Sequence, residues 1–348
     1  MKIADSHIHT ELTDPQVVRA FLDEIKAAGA TDASILALCA HPDYDIVQNL
    51  SALRSKSEYD GIRIRAFGSF HETDMYKQIP YEKQAESLLD LGCDGIKFIH
   101  MKPDCRKLFG KGIDHPDYDR ALSLLEERGT PVVMHSGDPE TFWDITKMTE
   151  KQIARGWYYG DGTYLPREDH YEEVFRMLDK HPRLNLSLAH FFFLSNFRDE
   201  ARRVLEKYPR VRFDLTPGWE MYIGFSSDPE GWRQFFIDYQ DRILFGTDSN
   251  DNKQNNGELY RLVMTALTHD FSEYEMPVWG HTVRGLDLPE SVVEKIAYKN
   301  YIDFVGDTPR AVDESGVYSA AQRMLSDILN MPEEKTSADW LRGFLSAK

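Results

Sequence analysis

Residues 3–9 read Ile-Ala-Asp-Ser-His-Ile-His, and this stretch decides the fold. Its run of small, apolar and alternating polar residues is typical of a buried β-strand. Side chains alternate along a strand, so Asp5, His7 and His9 are expected to face the same side. Two imidazoles so placed at a strand end can hold adjacent coordination positions of one metal ion.

Similar apolar runs recur along the chain, each followed by an amphipathic helical pattern. The predicted strands are residues 3–9, 33–39, 62–70, 94–100, 131–137, 184–190, 210–216 and 242–248. Their starts are separated by 30, 29, 32, 37, 53, 26 and 32 residues. Eight βα repeats predict an α/β fold, a closed (β/α)8 TIM barrel rather than an open sheet.

The repeats also define the domain organisation. We expect one barrel domain over residues 1–306 and a C-terminal helical extension of the same domain over residues 307–348. The longest gap leaves an aromatic-rich loop over residues 138–168. A long βα loop lies over the mouth of a barrel, so this loop is predicted to be a lid or substrate wall. The alternative is a solvent-facing insertion that packs on a neighbouring subunit.

Composition narrows the class of protein. The chain has 348 residues, 41% of them hydrophobic, and a net charge of −17 without any Lys/Arg-rich run. Nucleic acid and membrane partners are therefore not expected. Three cysteines without a CxxC pair, no signal-peptide pattern and no apolar run of about 20 residues predict a soluble cytoplasmic protein. A homodimer through the C-terminal helices is a further hypothesis.

Histidines concentrate at the predicted strand ends, where barrel enzymes carry their chemistry. Seven of the 12 lie there, namely His7, His9, His41, His71, His100, His135 and His190. Asp248 ends the eighth strand in the same way. A lone His-x-His motif is weak evidence for a metal site. His135 and Asp248 strengthen it, because they are further ligand-type residues at the ends of other strands. His190 is either a metal ligand or a catalytic acid or electrophile beside the metal. Such N/O donors favour zinc, with manganese, iron or cobalt as alternatives.

Five motifs carry a family resemblance. They are Asp5-Ser6-His7-Ile8-His9, Gly95-Ile96-Lys97-Phe98, Val133-Met134-His135-Ser136-Gly137, Leu188-Ala189-His190 and Leu244-Phe245-Gly246-Thr247-Asp248. With Asn300-Tyr301-Ile302-Asp303-Phe304 they span about residues 1–306. The set resembles the amidohydrolase superfamily, and within it the amidohydrolase-2 group that includes aminocarboxymuconate-semialdehyde decarboxylase.

The resemblance implies roles for five side chains. His7, His9, His135 and Asp248 would be metal ligands. Asp248 would also accept a proton from water that the metal activates, and His190 would polarise the substrate or shuttle protons. General chemistry agrees, because a divalent metal lowers the pKa of bound water and a carboxylate can accept its proton.

Lys97 and its surroundings leave two interpretations open. The lysine has the position at which binuclear superfamily members carry a carboxylated, metal-bridging lysine. We expect an unmodified Lys97 that points inward and acts beside the metal or on a substrate anion; a bridging carbamate is the alternative. His100 has the opposite parity and is expected to face away. The family often has His-Pro after this lysine, and Ser-Asp-Tyr-Pro where this chain has Thr-Asp-Ser-Asn.

Substrate contacts are less well indicated by the sequence. The candidates are His71, Trp143, Trp157, Trp219, Arg106 and Arg155. The aromatic residues could stack on a planar substrate or only cover the barrel. An arginine can hold a carboxylate through two parallel hydrogen bonds, although most loop arginines are merely solvated.

Three functions are consistent with these residues, each with a small-molecule partner. The first is a metal-dependent hydrolase of a small amide, lactone or related carbonyl substrate, acting through metal-activated water. The alternative is a non-oxidative decarboxylase of an unsaturated or aromatic carboxylic acid at the same metal. The third is a metal-binding barrel without catalysis, disfavoured by the complete ligand set.

Overall fold

A ring of parallel strands forms the centre of the protein. The computed structural model describes residues 1–41, 43–73, 76, 78–329, 331 and 335–347. The strands of the ring are β1 (Ile3–His9), β2 (Ala30–Leu36), β3 (Arg63–Gly68), β4 (Gly95–Met101), β5 (Val132–Ser136), β6 (Leu186–Leu188), β7 (Val211–Asp214), β8 (Ile243–Leu244) and β9 (Ser249–Asn250). Each pairs in parallel with the next in space. The predicted TIM barrel is confirmed.

Helices surround this ring and supply the outer half of the core. They are α1 (Pro15–Ala27), α2 (Gln48–Glu58), α3 (Tyr81–Asp90), α4 (Pro103–Phe109), α5 (Pro116–Arg128), α6 (Glu150–Ala154), α7 (Arg167–Lys180), α8 (Arg198–Lys207), α9 (Trp219–Ser227), α10 (Pro229–Asp238), α11 (Asn256–Thr268), α12 (Glu290–Glu294), α13 (Asn300–Val305), α14 (Glu314–Ile328) and α15 (Lys335–Ser346). A hairpin of β10 (Glu273–Glu275) and β11 (Thr282–Arg284) follows α11. No helix of the described residues is long and apolar enough to cross a membrane.

The segment from residue 243 to residue 250 closes the barrel. Its start, β8, pairs with β7, and its end, β9, pairs with β1 through Ile8 and Ser249. Between them, the backbone N–H of Ser6 donates to the carbonyl of Phe245 at 2.9 Å, and that of Asp248 donates to the carbonyl of His7 at 2.9 Å. The first and last strands therefore present their carboxyl ends side by side.

A π-helical turn, Lys295–Lys299, anchors this closing segment between α12 and α13. The N–H of Asn300 donates to the carbonyl of Lys295, five residues back, which leaves the carbonyl of Ile296 free of the helix ladder. That carbonyl accepts the N–H of Phe245 at 3.0 Å. The Asn300 side chain donates to the carbonyl of Ile243 at 2.7 Å.

The second strand lies three residues earlier than the predicted 33–39. Polar Thr31 and charged Asp32 break the apolar pattern, yet both belong to β2. Asp32 is buried because Arg63 and Arg65 on the neighbouring strand neutralise it, at 2.8 and 3.3 Å. Because opposite charges compensate Asp32, this residue can be buried within β2. The apolar sequence pattern alone does not reveal that β2 begins this early.

Strands β6 and β8 are shorter than the predicted 184–190 and 242–248. Four consecutive residues, His190–Phe193, have positive φ angles of 52–56°, and Asp248 has φ 53°. Left-handed backbone departs from strand geometry. Strand β6 ends just before the turn at His190, and Asp248 lies in the irregular stretch between β8 and β9.

The loop after β5 and the C-terminal helices are each fixed by their own contacts. In the loop, the Tyr159 hydroxyl donates to Asp138 at 2.8 Å, and Phe142 stacks on Trp157. The extension contacts the barrel where Trp340 donates to the carbonyl of Thr13 at 2.8 Å. The lid, the division at residue 306 and the homodimer stay predictions.

Beneath that loop, α7 buries a histidine without polar compensation. His170 has no exposed surface, and within the described part of the chain neither ring nitrogen has a hydrogen-bond partner. Burial, with a smaller contribution from the charge of Arg106, lowers the pKa of His170 to about 4. Folding therefore requires the neutral ring.

Acid should consequently destabilise the fold through His170. The unfolded ring has a pKa of about 6.5, so its contribution is complete above that pH and is lost as the pH falls towards 4. Between pH 7 and pH 4.5 this group alone should remove about 2.5 kcal/mol from the free energy of unfolding. Urea denaturation at both pH values should show a smaller loss for His170→Phe than for the parent chain. Equal losses would contradict this assignment.

Candidate metal centre

Three donor atoms meet at the carboxyl ends of β1 and the closing segment. Nε2 of His7 lies 3.1 Å from Nε2 of His9, and Oδ1 of Asp248 lies 3.2 Å from Nε2 of His9 and 3.8 Å from Nε2 of His7. Both histidines are buried, whereas the Asp248 side chain is 31% exposed. The two histidines are therefore fixed within the protein, and the group is open to solvent at Asp248.

The partners of the other ring nitrogens fix the tautomers of both histidines. Nδ1 of His7 faces Oδ2 of Asp214 at 3.0 Å, and Nδ1 of His9 faces the carbonyl of Leu36 at 2.7 Å. Both partners only accept, so each Nδ1 carries the proton and each Nε2 carries a lone pair. Two lone pairs and a carboxylate oxygen thus converge, and such a set requires a cation.

Sequence reasoning did not identify the residue that orients this group, Asp214. One oxygen accepts from the His7 ring, and the other accepts the backbone N–H of His190 at 2.8 Å. Burial would raise the pKa of Asp214, but the hydrogen bond from Nδ1–H of His7 opposes it, and the pKa lies well below its usual range. Its place at the end of β7, in register with the other strand ends, is the signal that could have identified it.

Lys97 supplies a positive charge beside the same group. It is buried on β4, and its Nζ lies 3.1 Å from Nε2 of His7. Burial lowers the pKa of Lys97 to about 8, and burial together with the Lys97 charge lowers the pKa of His7 to about 3. His100 packs among Phe98, Tyr81 and Tyr118 on the helix side of the strand. Lys97 therefore points towards the barrel interior, and His100 points towards the surrounding helices.

A second pair of imidazoles stands next to the first. Nε2 of His190 lies 3.1 Å from Nδ1 of His135, and the His190 ring centroid is 5.5 Å from that of His7. Burial, then the charge of His135, lowers the pKa of His190 to about 4. His135 turns Nε2 towards the carbonyl of Gly137 and Asp138, at 3.1 and 3.4 Å. The structure does not bring His135 into the group of His7, His9 and Asp248.

Backbone strain coincides with the candidate catalytic residues. Left-handed conformation costs about 1–2 kcal/mol for each residue that is not glycine. The turn at His190 is held by buried Phe191 and Phe192 and by Tyr171, whose hydroxyl donates to the carbonyl of Phe192 at 3.1 Å. Strain that the surroundings enforce is typical of functional sites, where it aims a side chain.

The donor set fits a divalent metal ion. With metal–nitrogen distances of about 2.0–2.1 Å, two ligating nitrogens at tetrahedral or octahedral angles lie about 2.9–3.4 Å apart. The separations of 3.1 and 3.2 Å around Nε2 of His9 agree with this range, whereas the 3.8 Å between Nε2 of His7 and Oδ1 of Asp248 is longer. The carbonyl and carboxylate that hold each Nδ1–H are the outer partners that metal-bound histidines commonly have.

The two candidate arginines are engaged outside this group. Arg106 donates three hydrogen bonds to Glu173 on α7, at 2.7–3.2 Å. Arg155 is exposed and lies over the ring of Trp157, 5.0 Å from its centroid. The described contacts place neither guanidinium beside the histidines, which does not support their prediction as carboxylate clamps.

The aromatic candidates lie in three different places. Trp143 donates to the carbonyl of Leu165 at 3.0 Å within the loop after β5, which also contains Trp157. Trp219 begins α9 and stacks on His281 at 5.1 Å. His71 contacts Asn49 and lines a cavity of about 290 Å³ between α2, α3 and α14. That cavity lies among the outer helices, so the predicted pocket role of His71 has no support here.

A cavity adjoins Asp248 that sequence reasoning missed. It measures about 410 Å³ and includes Lys253, Val278 and Trp279. Nζ of Lys253 donates to the carbonyl of Asp248 at 2.8 Å and lies 3.8 Å from its carboxylate. Burial would raise the pKa of Asp248, but the charge of Lys253 outweighs it and holds the pKa well below its usual range. Trp279 comes from the β10–β11 hairpin, more than twenty residues away in sequence, which explains why no strand-end argument found it.

A barrel with such a group at its carboxyl ends belongs to the class of TIM barrels with a candidate metal site at the strand ends. A family model described as amidohydrolase matches residues 64–306, more than half of the chain. The chain therefore belongs to the amidohydrolase family, which confirms the resemblance. The match begins after His7 and His9, so the assignment of those two residues depends on their geometry.

Solved structures show the same fold. An uncharacterized TIM-barrel protein from Bordetella bronchiseptica has a TM-score of 0.54 at 16% identity, covering 88% of this chain and 100% of that one. A candidate amidohydrolase from Staphylococcus aureus gives 0.53 at 14%, covering 88% and 100%. The 4-oxalomesaconate hydratase of Rhodopseudomonas palustris gives 0.51 at 10%, covering 94% and 100%. The comparison with curated proteins gave no match.

Replacing Asp214 should weaken metal binding without removing a ligand. In Asp214→Asn the amide oxygen can still accept from His7, but the negative charge that raises the basicity of its ring is lost. Affinity for zinc should fall about 10–100-fold, measured by competition with a chromogenic chelator. Asp241→Asn is the matched control, because Asp241 is exposed and its ion pair among the described residues is with Lys295. Unchanged affinity in Asp214→Asn would contradict the orienting role.

Proposed function

We propose that this protein is a metal-dependent hydrolase that acts on a small amide, lactone or related carbonyl substrate. The observation that carries the proposal is the convergence of two lone-pair nitrogens, of His7 and His9, on the carboxylate of Asp248. These three side chains would hold the metal, with zinc as the first choice. We retain His135 as a possible fourth ligand only as the resemblance implies it.

When bound, a divalent metal supplies Lewis acidity that polarises a carbonyl and makes water more acidic. Asp248 is ionised and partly exposed, so its free carboxylate oxygen can accept a proton from attacking water. The neutral His190 can take up a proton at Nε2 and pass it to the leaving group. Lys97, unmodified, would hold its charge beside His7 and balance a developing negative charge on the substrate.

The cavity beside Asp248 is the proposed substrate pocket. Val278 and Trp279 offer apolar surface, while Lys253 offers a cation at the edge of the carboxylate. A small carbonyl compound with a planar or apolar body fits these features. The loop after β5 is proposed to cover the opposite side of the mouth.

Decarboxylation of an unsaturated or aromatic acid remains the second candidate. It would need a cation to hold the substrate carboxylate, and a pocket arginine would favour it. Arg106 and Arg155 are occupied elsewhere, which supports hydrolysis as the first proposal. Lys253 and Lys97 keep the alternative open to test. Release of CO₂ from a panel of unsaturated and aromatic acids, without hydrolysis of lactones or amides, would select it.

Asp248→Asn tests the catalytic proposal. The amide can still ligate through oxygen but cannot accept a proton, so turnover on the best lactone or amide of a panel should fall about 10²–10⁴-fold. Circular dichroism should show a retained fold. Asp238→Asn is the control, since Asp238 is an exposed carboxylate on α10. Full activity in Asp248→Asn would exclude the mechanism.

Trp279→Ala tests the location of the pocket. Loss of the indole surface should raise KM roughly tenfold, equivalent to about 1.4 kcal/mol of binding, and change kcat less because the contact is present in both ground and transition states. Trp157→Ala is the comparison, because Trp157 packs on Phe142 in the loop after β5. A larger effect of Trp157→Ala would place the substrate under that loop instead.

A further inference from the structure

A second group of metal-ligand side chains lies outside the centre described above. His41, Asp104 and Cys105 each offer one donor atom, and these atoms lie within 4.8 Å of one another. His41 follows β2, whereas Asp104 and Cys105 belong to the first turn of α4, directly after β4. Two βα segments at the same rim of the barrel therefore contribute to it.

The surroundings of the three side chains favour a built site over a chance contact. Cys105 is 1% exposed, in an apolar cluster with Leu38, Ala40 and Ile99, and His41 is 8% exposed. Nε2 of His41 lies 3.5 Å from Oδ2 of Asp104, too long for a good hydrogen bond. These atoms are close without being well bonded to each other.

An outer partner is also available to the imidazole. Nδ1 of His41 lies 3.8 Å from the carboxylate of Asp43 and now accepts the backbone N–H of that residue at 3.2 Å. A carboxylate behind the distal nitrogen is the arrangement that metal-ligating histidines commonly have. Turning the proton onto Nδ1 would leave Nε2 free as a ligand.

We propose that His41, Asp104 and Cys105 form a second divalent-metal site, with a thiolate ligand, that fastens the loop after β2 to the start of α4. On binding, the S–H bond of Cys105 breaks, a sulfur–metal bond forms and the proton leaves to solvent. Imidazole, carboxylate and thiolate together select zinc, cobalt or cadmium over magnesium or calcium. The ring of Tyr44, 5.0 Å from that of His41, would be ordered with this loop.

The ammonium group of Lys102 would compete with a metal ion for the carboxylate of Asp104. Its Nζ lies 2.6 Å from Oδ2 of Asp104 and so supplies the cation that the carboxylate needs without a metal. The charge of Lys102 also lowers the pKa of Asp138, against burial, so its electrostatic influence extends to a second carboxylate. A bound metal would displace Lys102 from Asp104. Removing the ammonium should therefore tighten metal binding.

Cobalt titration of the full metal-free chain tests the proposal. Thiolate ligation gives a near-ultraviolet sulfur-to-cobalt charge-transfer band, and the centre at His7, His9 and Asp248 contains no sulfur, so the band reports the second site alone. We expect the band at full saturation to account for one cobalt ion per chain, beside the ion taken up by the first centre, to persist in His9→Asn, and to vanish in Cys105→Ser. Lys102→Met should lower the cobalt concentration at half-saturation severalfold.

Cys93→Ser is the matched control, because Cys93 is also a buried free thiol but lies away from His41. It should keep the band. A parent chain that binds cobalt without the band would overturn the proposal, and so would a band that survives in Cys105→Ser. If Cys105→Ser fails to fold, an unchanged cobalt affinity in Lys102→Met contradicts the site, and a tighter one supports it.

Discussion

Two imidazole nitrogens, Nε2 of His7 and of His9, lie 3.1 Å apart with their lone pairs turned towards each other and towards a carboxylate. Nothing in their own chemistry favours this approach. The approach is enforced by hydrogen bonds on the other side of each ring, where Asp214 accepts from Nδ1–H of His7 and the carbonyl of Leu36 accepts from Nδ1–H of His9. This arrangement of lone pairs and a carboxylate needs a nearby positive charge. Lys97 is one source of it, and a divalent metal ion is the other source that we propose.

The barrel makes this arrangement possible by bringing distant parts of the chain to one rim. Asp214 connects β7 to the ring of His7 on β1 and to the backbone of His190 after β6. Asp248 interrupts the closing strand with a left-handed residue, which turns its carboxylate towards Nε2 of His9. The π-helical turn before α13 stabilises that irregular segment through the carbonyl of Ile296. Irregular backbone at the site is thus supported by an irregular turn in the neighbouring helix.

The barrel, its strand order and the family were predictable from the sequence, because apolar periodicity and strand-end histidines are local signals. Several contacts between residues far apart in the chain were not. The sequence pattern did not single out Asp214, and Trp279 comes from a hairpin that the strand count does not include. The predicted bounds of β2 were wrong, because arginines of the next strand neutralise Asp32 and so allow a charged residue within the buried strand. The left-handed turn after β6 and the orientation of His135 depend on tertiary packing, which no propensity reveals.

Anomalous diffraction from crystals of the zinc-loaded protein tests the central claim most directly, because it locates the ion independently of any substrate. Our account predicts an ion about 2.0–2.2 Å from Nε2 of His7, Nε2 of His9 and a carboxylate oxygen of Asp248. A zinc-loaded crystal with no ion at these three side chains, or with an ion that neither histidine ligates, would contradict it.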